Sequence, residues 1–369
     1  MTFPKKIYIA ATGQNVGKTT VSLALSGLLQ ENGVRVAFCK PVGQKHIVVK
    51  GERAEYDTVA VTSILNIPYQ SSLHSPVILG PGDTARYLKN PDSGAVSARI
   101  VRAAKKLESD YQTVIYEGTG HPGVGSVIDH SNVTVAKMLG ADVILVAKGG
   151  IGKTLDRISL SKSYFDRGGV PVKGVIINQA LPDKIDRIIP SLSLGLKKMG
   201  LPLLGTLPFE NVLAFPTLAQ IREAVGAKVI RMGTGLDVLI RAPVFGIQVD
   251  PDQTYFEKGE ILLVSPVELI DRLFDSLINL HITRQKNWRI GGVMLSTEKP
   301  IPDDFLGLFE AAGIPVLATP LDTYTVARRL NNLVARVEPD SKDKISAIKR
   351  IFKEHIGLDF LKIIGSHIS

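Results

Sequence analysis

The sequence holds a single cysteine, Cys39, among 369 residues. Neither an intrachain disulfide framework nor a cysteine-rich metal site can be built from it. Aromatic residues are scarce at 6%, whereas hydrophobic residues make up 44%. That balance favours Val-, Ile- and Leu-rich parallel strands buried between helices over an all-β architecture. The formal charge is +9, yet no run of five or more Lys or Arg occurs. Scattered basic charge of this kind fits an anionic small ligand better than nucleic acid. The seven histidines show no metal-ligand spacing. No apolar run reaches bilayer-spanning length. The opening residues MTFPKKIYIAAT enter a strand without a signal-peptide pattern. The expectation is a cytoplasmic protein that binds neither membrane nor nucleic acid.

What is present is a regular alternation of strand and helix patterns. Ile7–Ala11, Arg35–Cys39, Val114–Tyr116, Val143–Ala147, Gly174–Ile177 and Leu203–Leu207 are apolar runs with helical segments between them, among them Val21–Gln30, which stops at Asn32-Gly33. Such spacing predicts βαβ units and a largely parallel sheet flanked by helices, an α/β fold. The alternation weakens after about Gln220, where turns and short β-like runs such as Val238–Ile240 and Val244–Val249 follow. A second series then runs through strand Ile261–Val264, helix Val267–Ile282, strand Gly292–Leu295, helix Phe305–Ala312, strand Ile314–Ala318 and helices Thr323–Leu333 and Lys342–His355. We therefore expect two domains, 1–215 and a smaller α/β domain over 216–369, without a long linker.

Thr12-Gly13-Gln14-Asn15-Val16-Gly17-Lys18-Thr19-Thr20 follows the first strand and opens the first helix. Strand, glycine-containing loop and helix in that order make a phosphate cradle. Gly13 and Gly17 let successive N–H groups turn toward phosphate oxygens, and the helix N-terminus adds partial positive charge. Lys18 is placed for the β- and γ-phosphates, and the Thr19 hydroxyl for Mg²⁺. The pattern departs from the strict form at Thr12, where glycine is usual. The expected ligand is a nucleoside triphosphate, ATP with Mg²⁺.

Mg²⁺ requires further oxygen ligands. Glu117 ends an apolar strand and precedes Gly118-Thr119-Gly120, so its carboxylate can face the loop. Asp57 follows a polar stretch and begins the helix pattern Asp57–Leu65; a helix N-cap would equally account for it. A second glycine-rich stretch, Lys148-Gly149-Gly150-Ile151-Gly152-Lys153-Thr154, follows strand Val143–Ala147. It is either the rim of a pocket, holding an acidic co-substrate through Lys153 or the glycine backbone, or a solvent-facing turn. His121 and His130 flank the segment after Glu117 and fit loop-surface roles better than catalysis.

Taken together, Thr12-Gly13-x-x-Val16-Gly17-Lys18-Thr19, Lys40-Pro41-Val42-Gly43, Glu117-Gly118-Thr119-Gly120 and Asn178 resemble dethiobiotin synthetase and the ATP-dependent domains of cobyrinic acid a,c-diamide synthase. They most resemble the N-terminal region of long bacterial phosphotransacetylases, over roughly residues 5–215. The resemblance implies a P-loop NTPase fold in which Thr12, Gly13, Asn15, Val16, Gly17, Lys18, Thr19 and Thr20 hold ATP. It implies catalytic roles for Lys18 and Lys40, with Lys40 facing the reacting phosphoryl or carboxylate group. It also implies metal ligation by Thr19, Asp57 and Glu117, and adenine contacts from Asn178 and the loop at Leu207-Pro208-Phe209. Lys40 and Asn178 have plainer readings as strand-end polar residues. Leu262–Pro266, Gly291–Leu295 and Leu321–Thr325 resemble the DRTGG domain, although Val267–Arg272 departs from that family's Gly-Asp-Arg-like segment. Asp322-Thr323 is either a ligand contact or a helix cap.

Two functions are compatible with this arrangement. One is a nucleotide-dependent regulatory protein. The other is an ATP-dependent ligase that activates a carboxylate or carbamate through an acyl phosphate. A homo-oligomer is the expected assembly in either case.

Overall fold

A computed structural model describes residues 5–49, 51–245, 259–272, 288–296 and 299–361. The chain divides into two compact units, Met1–Glu210 with Lys342–Ser369, and Asn211–Ser341.

The first unit runs β1 (Lys6–Ala11), α1 (Lys18–Glu31), β2 (Val36–Cys39), β3 (Val42–Gly43), β4 (His46–Val49), β5 (Glu52–Glu55), α2 (Tyr56–Ile64), α3 (Ser71–His74), β6 (Val77–Ile78), α4 (Asp83–Lys89), α5 (Ser93–Asp110), β7 (Thr113–Glu117), α6 (Asn132–Leu139), β8 (Asp142–Lys148), α7 (Gly152–Arg167), β9 (Val172–Ala180), α8 (Ile185–Lys198) and β10 (Leu203–Pro208). Six of the strands form one parallel sheet in the order β10-β9-β8-β1-β7-β2. Ile7 to Ala11 are all at most 1% exposed, as a central parallel strand covered on both faces must be. The chain passes from β1 to β2 on one side and later places β8 on the other, so the strand order reverses at β1. Its carboxyl end is the crevice where sheets of this kind bind ligands.

The polar stretch before Asp57 folds as the antiparallel hairpin β4–β5, turning at Gly51 with φ 83°. The helix after it starts one residue earlier than its pattern suggests. Its N-cap is Glu55, whose carboxylate accepts the Thr58 N–H, and not Asp57.

The second unit contains α9 (Asn211–Ala214), α10 (Leu218–Val225), β11 (Lys228–Arg231), β12 (Ile240–Phe245), β13 (Gly259–Pro266), β14 (Trp288–Ser296), α11 (Asp303–Ala311), β15 (Val316–Thr319) and α12 (Thr323–Asn331). Its sheet has the order β11-β15-β14-β13-β12, with β11 antiparallel and the others parallel. Alternate residues of each strand serve opposite faces. Ile261, Leu263, Val293 and Leu295 pack with Leu306 and Phe309 of α11, while Leu262, Val264 and Met294 pack with α10 and with Val326 of α12. The helix expected over Val267–Ile282 opens with a 3-10 turn at Val267–Leu269, and its residues from 273 lie outside the described chain. The β-like run Val244–Val249 is described only through Phe245.

The chain enters and leaves this unit at one place. Buried Gln220 exchanges hydrogen bonds with the backbone of Arg336, at 3.1 and 3.2 Å. The last helix, α13 (Lys342–His355), then packs within the first unit, not the second as the 216–369 assignment supposed. Gly27 of α1 leaves room for the Lys349 stem, and Lys349 pairs with Glu31 at 3.0 Å. Ile348, Ile351 and Phe352 are at most 1% exposed. The physical reason is the amphipathic face of α13, which is buried against α1 and β10. Among the described residues no helix is long and apolar enough to cross a membrane.

Candidate functional site

The loop after β1 is built on backbone that only some residues tolerate. Asn15 has φ 54° and Gly17 φ 90°. A Cβ on Gly17 would lie 2.0 Å from Asn178 Nδ2, so a side chain there meets both backbone strain and a collision. Gly13, by contrast, has open space around it. Thr12 follows β1 directly in ordinary negative-φ backbone, its N–H donating to the Val146 carbonyl at 3.0 Å. The glycine of the strict pattern is therefore not needed at that position.

Lys18 lies across this loop. Its ammonium donates to the carbonyls of Gly120 at 3.0 Å and Gly13 at 3.4 Å. Burial brings its pKa down to about 8, with the Glu117 carboxylate opposing the shift. Thr19 donates its hydroxyl to Glu117 Oε1 at 3.0 Å, while Glu117 Oε2 is buried without a partner. Burial pushes the Glu117 carboxyl up, against the pull of Lys40. An unpartnered carboxylate oxygen beside a loop hydroxyl is an acceptor waiting for a donor or a cation.

Lys40, just past β2, is 4% exposed. It donates to Asp57 Oδ2 at 2.7 Å and Glu55 Oε1 at 2.8 Å, and lies 3.8 Å from Glu117 Oε1. Burial alone would lower its pKa, but Asp57, Glu55 and Glu117 together raise it. Burial would likewise raise Asp57; Lys40 and the more exposed Lys45, at 3.2 and 3.3 Å, hold it down at about 2. The anion inferred beside Lys40 is thus supplied by the protein itself. Glu55 and Lys45 were not picked out from the sequence. The only local signal was Glu55-Tyr56-Asp57, two carboxylates flanking a helix start.

The loop Gly118–His121 is fixed by Asn132, which accepts from the Thr119 N–H and donates to the carbonyls of Thr119 and His121; Tyr8 holds Asn132 in turn at 2.9 Å. This places the Gly120 carbonyl on Lys18. Asn178 is 4% exposed and donates to the Val16 carbonyl at 2.9 Å, so its visible role is to brace the phosphate loop. Pro208 ends β10, beside the end of β9, where the Phe209 N–H donates to Ala180 at 2.7 Å.

In the second glycine-rich loop, Thr154 donates to the Lys148 carbonyl at 2.8 Å, and a Cβ on Gly149 would lie 2.6 Å from the Ala180 backbone. These residues have packing reasons, and Lys148 and Lys153 are exposed. His121 is exposed, and His130 is buried between Ser97 and the Ile128 carbonyl. Cys39 is buried, with burial pushing its thiol up. Asp322 caps α12 through Thr325 at 2.9 Å.

A glycine-turned loop between a central parallel strand and a helix, with its lysine and threonine facing a strand-end carboxylate, defines a P-loop NTPase domain. The family comparison agrees: residues 5–217 match the AAA_26 family (AAA domain), and the chain belongs to it; residues 220–333 match the DRTGG domain. Similar curated proteins include the phosphate acetyltransferase of Nitratidesulfovibrio vulgaris, 26% identical over 361 residues, covering 95% of this chain and 50% of that protein. The phosphate acetyltransferase of Nitrosomonas europaea is 23% identical over 367 residues, covering 96% and 51%. The ATP-dependent dethiobiotin synthetase BioD of Clostridium acetobutylicum is 27% identical over 211 residues, covering 56% of this chain and 86% of that protein. The chain thus spans about half the length of the phosphate acetyltransferases it matches.

Proposed function

We propose that the first unit binds ATP with Mg²⁺ and that the chain as a whole is a nucleotide-dependent regulatory protein, related to the N-terminal region of phosphate acetyltransferases. The observation that carries the reading is Lys18 folded across its own loop beside the bare Glu117 Oε2. Lys18 would leave two backbone carbonyls for the phosphates. Loop N–H groups and the start of α1 would hold phosphate oxygens. Thr12, Gly13, Asn15, Val16, Gly17 and Thr20 shape that cradle, and Asn178 and Pro208 border the base side of it.

Thr19, Glu117 and Asp57 would hold the metal. The fit is to an ion that shares its ligands with phosphates: among the described residues no group of three or more His, Cys, Asp or Glu converges as a metal site by itself. When bound, Mg²⁺ neutralises charge on the β- and γ-phosphates. The regulatory reading is favoured because the DRTGG unit is joined to the nucleotide unit in one chain, and the match to the phosphate acetyltransferases runs across both.

A second reading is an ATP-dependent ligase of the dethiobiotin synthetase or cobyrinic acid a,c-diamide synthase type. Lys40, a buried ammonium beside the phosphate loop, favours it, since it could face a carboxylate or carbamate during phosphoryl transfer. ADP release measured with ATP, Mg²⁺ and a panel of diamino and polycarboxylic acids separates the two. Acid-independent, slow release with micromolar ATP binding by calorimetry supports regulation. Release that rises severalfold with one acid supports the ligase, and no ATP binding at all sinks both. We also expect a homo-oligomer; a monomer mass by light scattering would remove that part.

A further inference from the structure

Lys40 is ringed by Glu55, Asp57 and Glu117, and the three carboxylates are not equivalent. Asp57 also reaches exposed Lys45, and Glu117 keeps one oxygen without a partner, so both have bonding capacity to redistribute. Glu55 has none. It is fully buried, and its Oε2 accepts the Thr58 N–H at 2.8 Å and the Thr58 hydroxyl at 2.9 Å, capping α2. Its Oε1 accepts Lys40. Turning Glu55 toward another partner would uncap the helix that carries Asp57.

The ammonium of Lys40 and a divalent ion would both draw on Asp57 and Glu117. Two cations sharing those oxygens repel one another in a buried site. Lys40 can yield Asp57 only if another carboxylate keeps it paired, because an unpaired buried charge is costly. Glu55 is the one that stays in place.

We propose that Glu55 is a positioning residue that holds Lys40 back, leaving Asp57 and Glu117 to the metal of a nucleotide complex. The proposal rests on the nucleotide reading above. Without the Glu55 charge, Lys40 settles on Asp57 and Glu117 and competes with the metal as an internal cation.

The test measures Mn²⁺ uptake by electron paramagnetic resonance on the full chain, with the β,γ-imido analogue of ATP present. Four proteins are compared: unmodified, Glu55→Gln, Lys40→Met and the double variant. Gln retains an oxygen for the Thr58 cap but no charge for Lys40. Glu55→Gln is expected to weaken Mn²⁺ binding about tenfold, the scale seen when a residue supporting metal ligands is lost. Lys40→Met is expected to tighten it, and the double variant to match Lys40→Met. A purely structural Glu55 would cost the same with or without Lys40, and that outcome overturns the proposal, as does an unchanged Glu55→Gln. If Glu55→Gln fails to melt cooperatively, Lys40→Met decides: unchanged or weaker Mn²⁺ binding overturns competition. An unmodified chain that takes up neither Mn²⁺ nor nucleotide sinks the nucleotide reading and this proposal together. Nucleotide binding with no difference among the variants sinks the role of Glu55 only.

Discussion

The two units are variations on one architecture, a mostly parallel sheet with helices on both faces, yet their strand ends carry different chemistry. In the first unit the carboxyl edge buries Lys18, Lys40, Glu55, Asp57 and Glu117. In the second, the corresponding edge buries Ser265, Ser296 and Thr319, and each hydroxyl has a hydrogen-bond partner: Pro266, Thr323 and Val225. Among the described residues of the second unit no charged side chain is buried. Buried charge is costly and persists where it is paired or used. Equal folds therefore do not imply equal sites, and the chemistry concentrates where the charges are.

The largest expected effect tests which unit owns the last helix. Phe352 of α13 is 1% exposed and meets Phe360 edge-on at 6.3 Å. Phe352→Ala should cost about 3–5 kcal/mol of stability. Limited proteolysis should then open 5–210 before 211–341. Cleavage confined to 211–341 would return α13 to the second unit and break the comparison.

Next in size is Lys18→Ala. On the proposed nucleotide reading, losing the charge-assisted contacts it would make to phosphate, about 3 kcal/mol, should weaken ATP roughly 100-fold in calorimetry. Unchanged affinity would move the site to the Lys148–Thr154 loop. Gly17→Ala should follow, costing about 1–3 kcal/mol through its left-handed backbone and the clash with Asn178. Gly13→Ala, with nothing near its Cβ, should cost far less. Equal melting of the two alanine variants would show that the loop backbone is not what distinguishes the first unit.

Much of this was legible in the sequence because it is local. Strand periods, the loop between β1 and α1, and Glu117 at a strand end all follow from neighbours in the chain. Thr12 was read as a departure, but whether a glycine is required depends on φ, which the residue letters do not give. Glu55 was missed because it sits in a charged, alternating stretch that reads as solvent-exposed. Only the pairing of β4 with β5 turns it inward to Lys40 and Thr58. Asn178 is expected beside the base; its brace to Val16, 162 positions away, could not be read from the letters and appears only once β9 lies near the loop. The return of α13 to α1 spans a wider gulf, 318 positions from Glu31 to Lys349, while adjacency in sequence pointed to the second unit.

The smallest effect lies behind the charged cluster, in a residue that carries no charge. His74 is 2% exposed, its Nδ1 is 3.0 Å from the Gln70 N–H and 3.1 Å from the Gln70 carbonyl, and its Nε2 has no partner. A second proton would make both ring nitrogens donors in a buried site, and only Nδ1 has an acceptor, the Gln70 carbonyl; Nε2 has none. Burial accordingly lowers its pKa, with the Gln70 carbonyl opposing in part. Between the folded value and the ordinary value near 6.5, the unfolded chain binds the extra proton, so stability falls as pH drops through that window. We expect the melting temperature to fall from pH 7.5 to 5.5. In His74→Gln that part of the slope should vanish, while the contribution of Asp57, lost as pH falls from its ordinary 3.8 through about 2, remains. A slope identical in both proteins would place the sensitivity elsewhere.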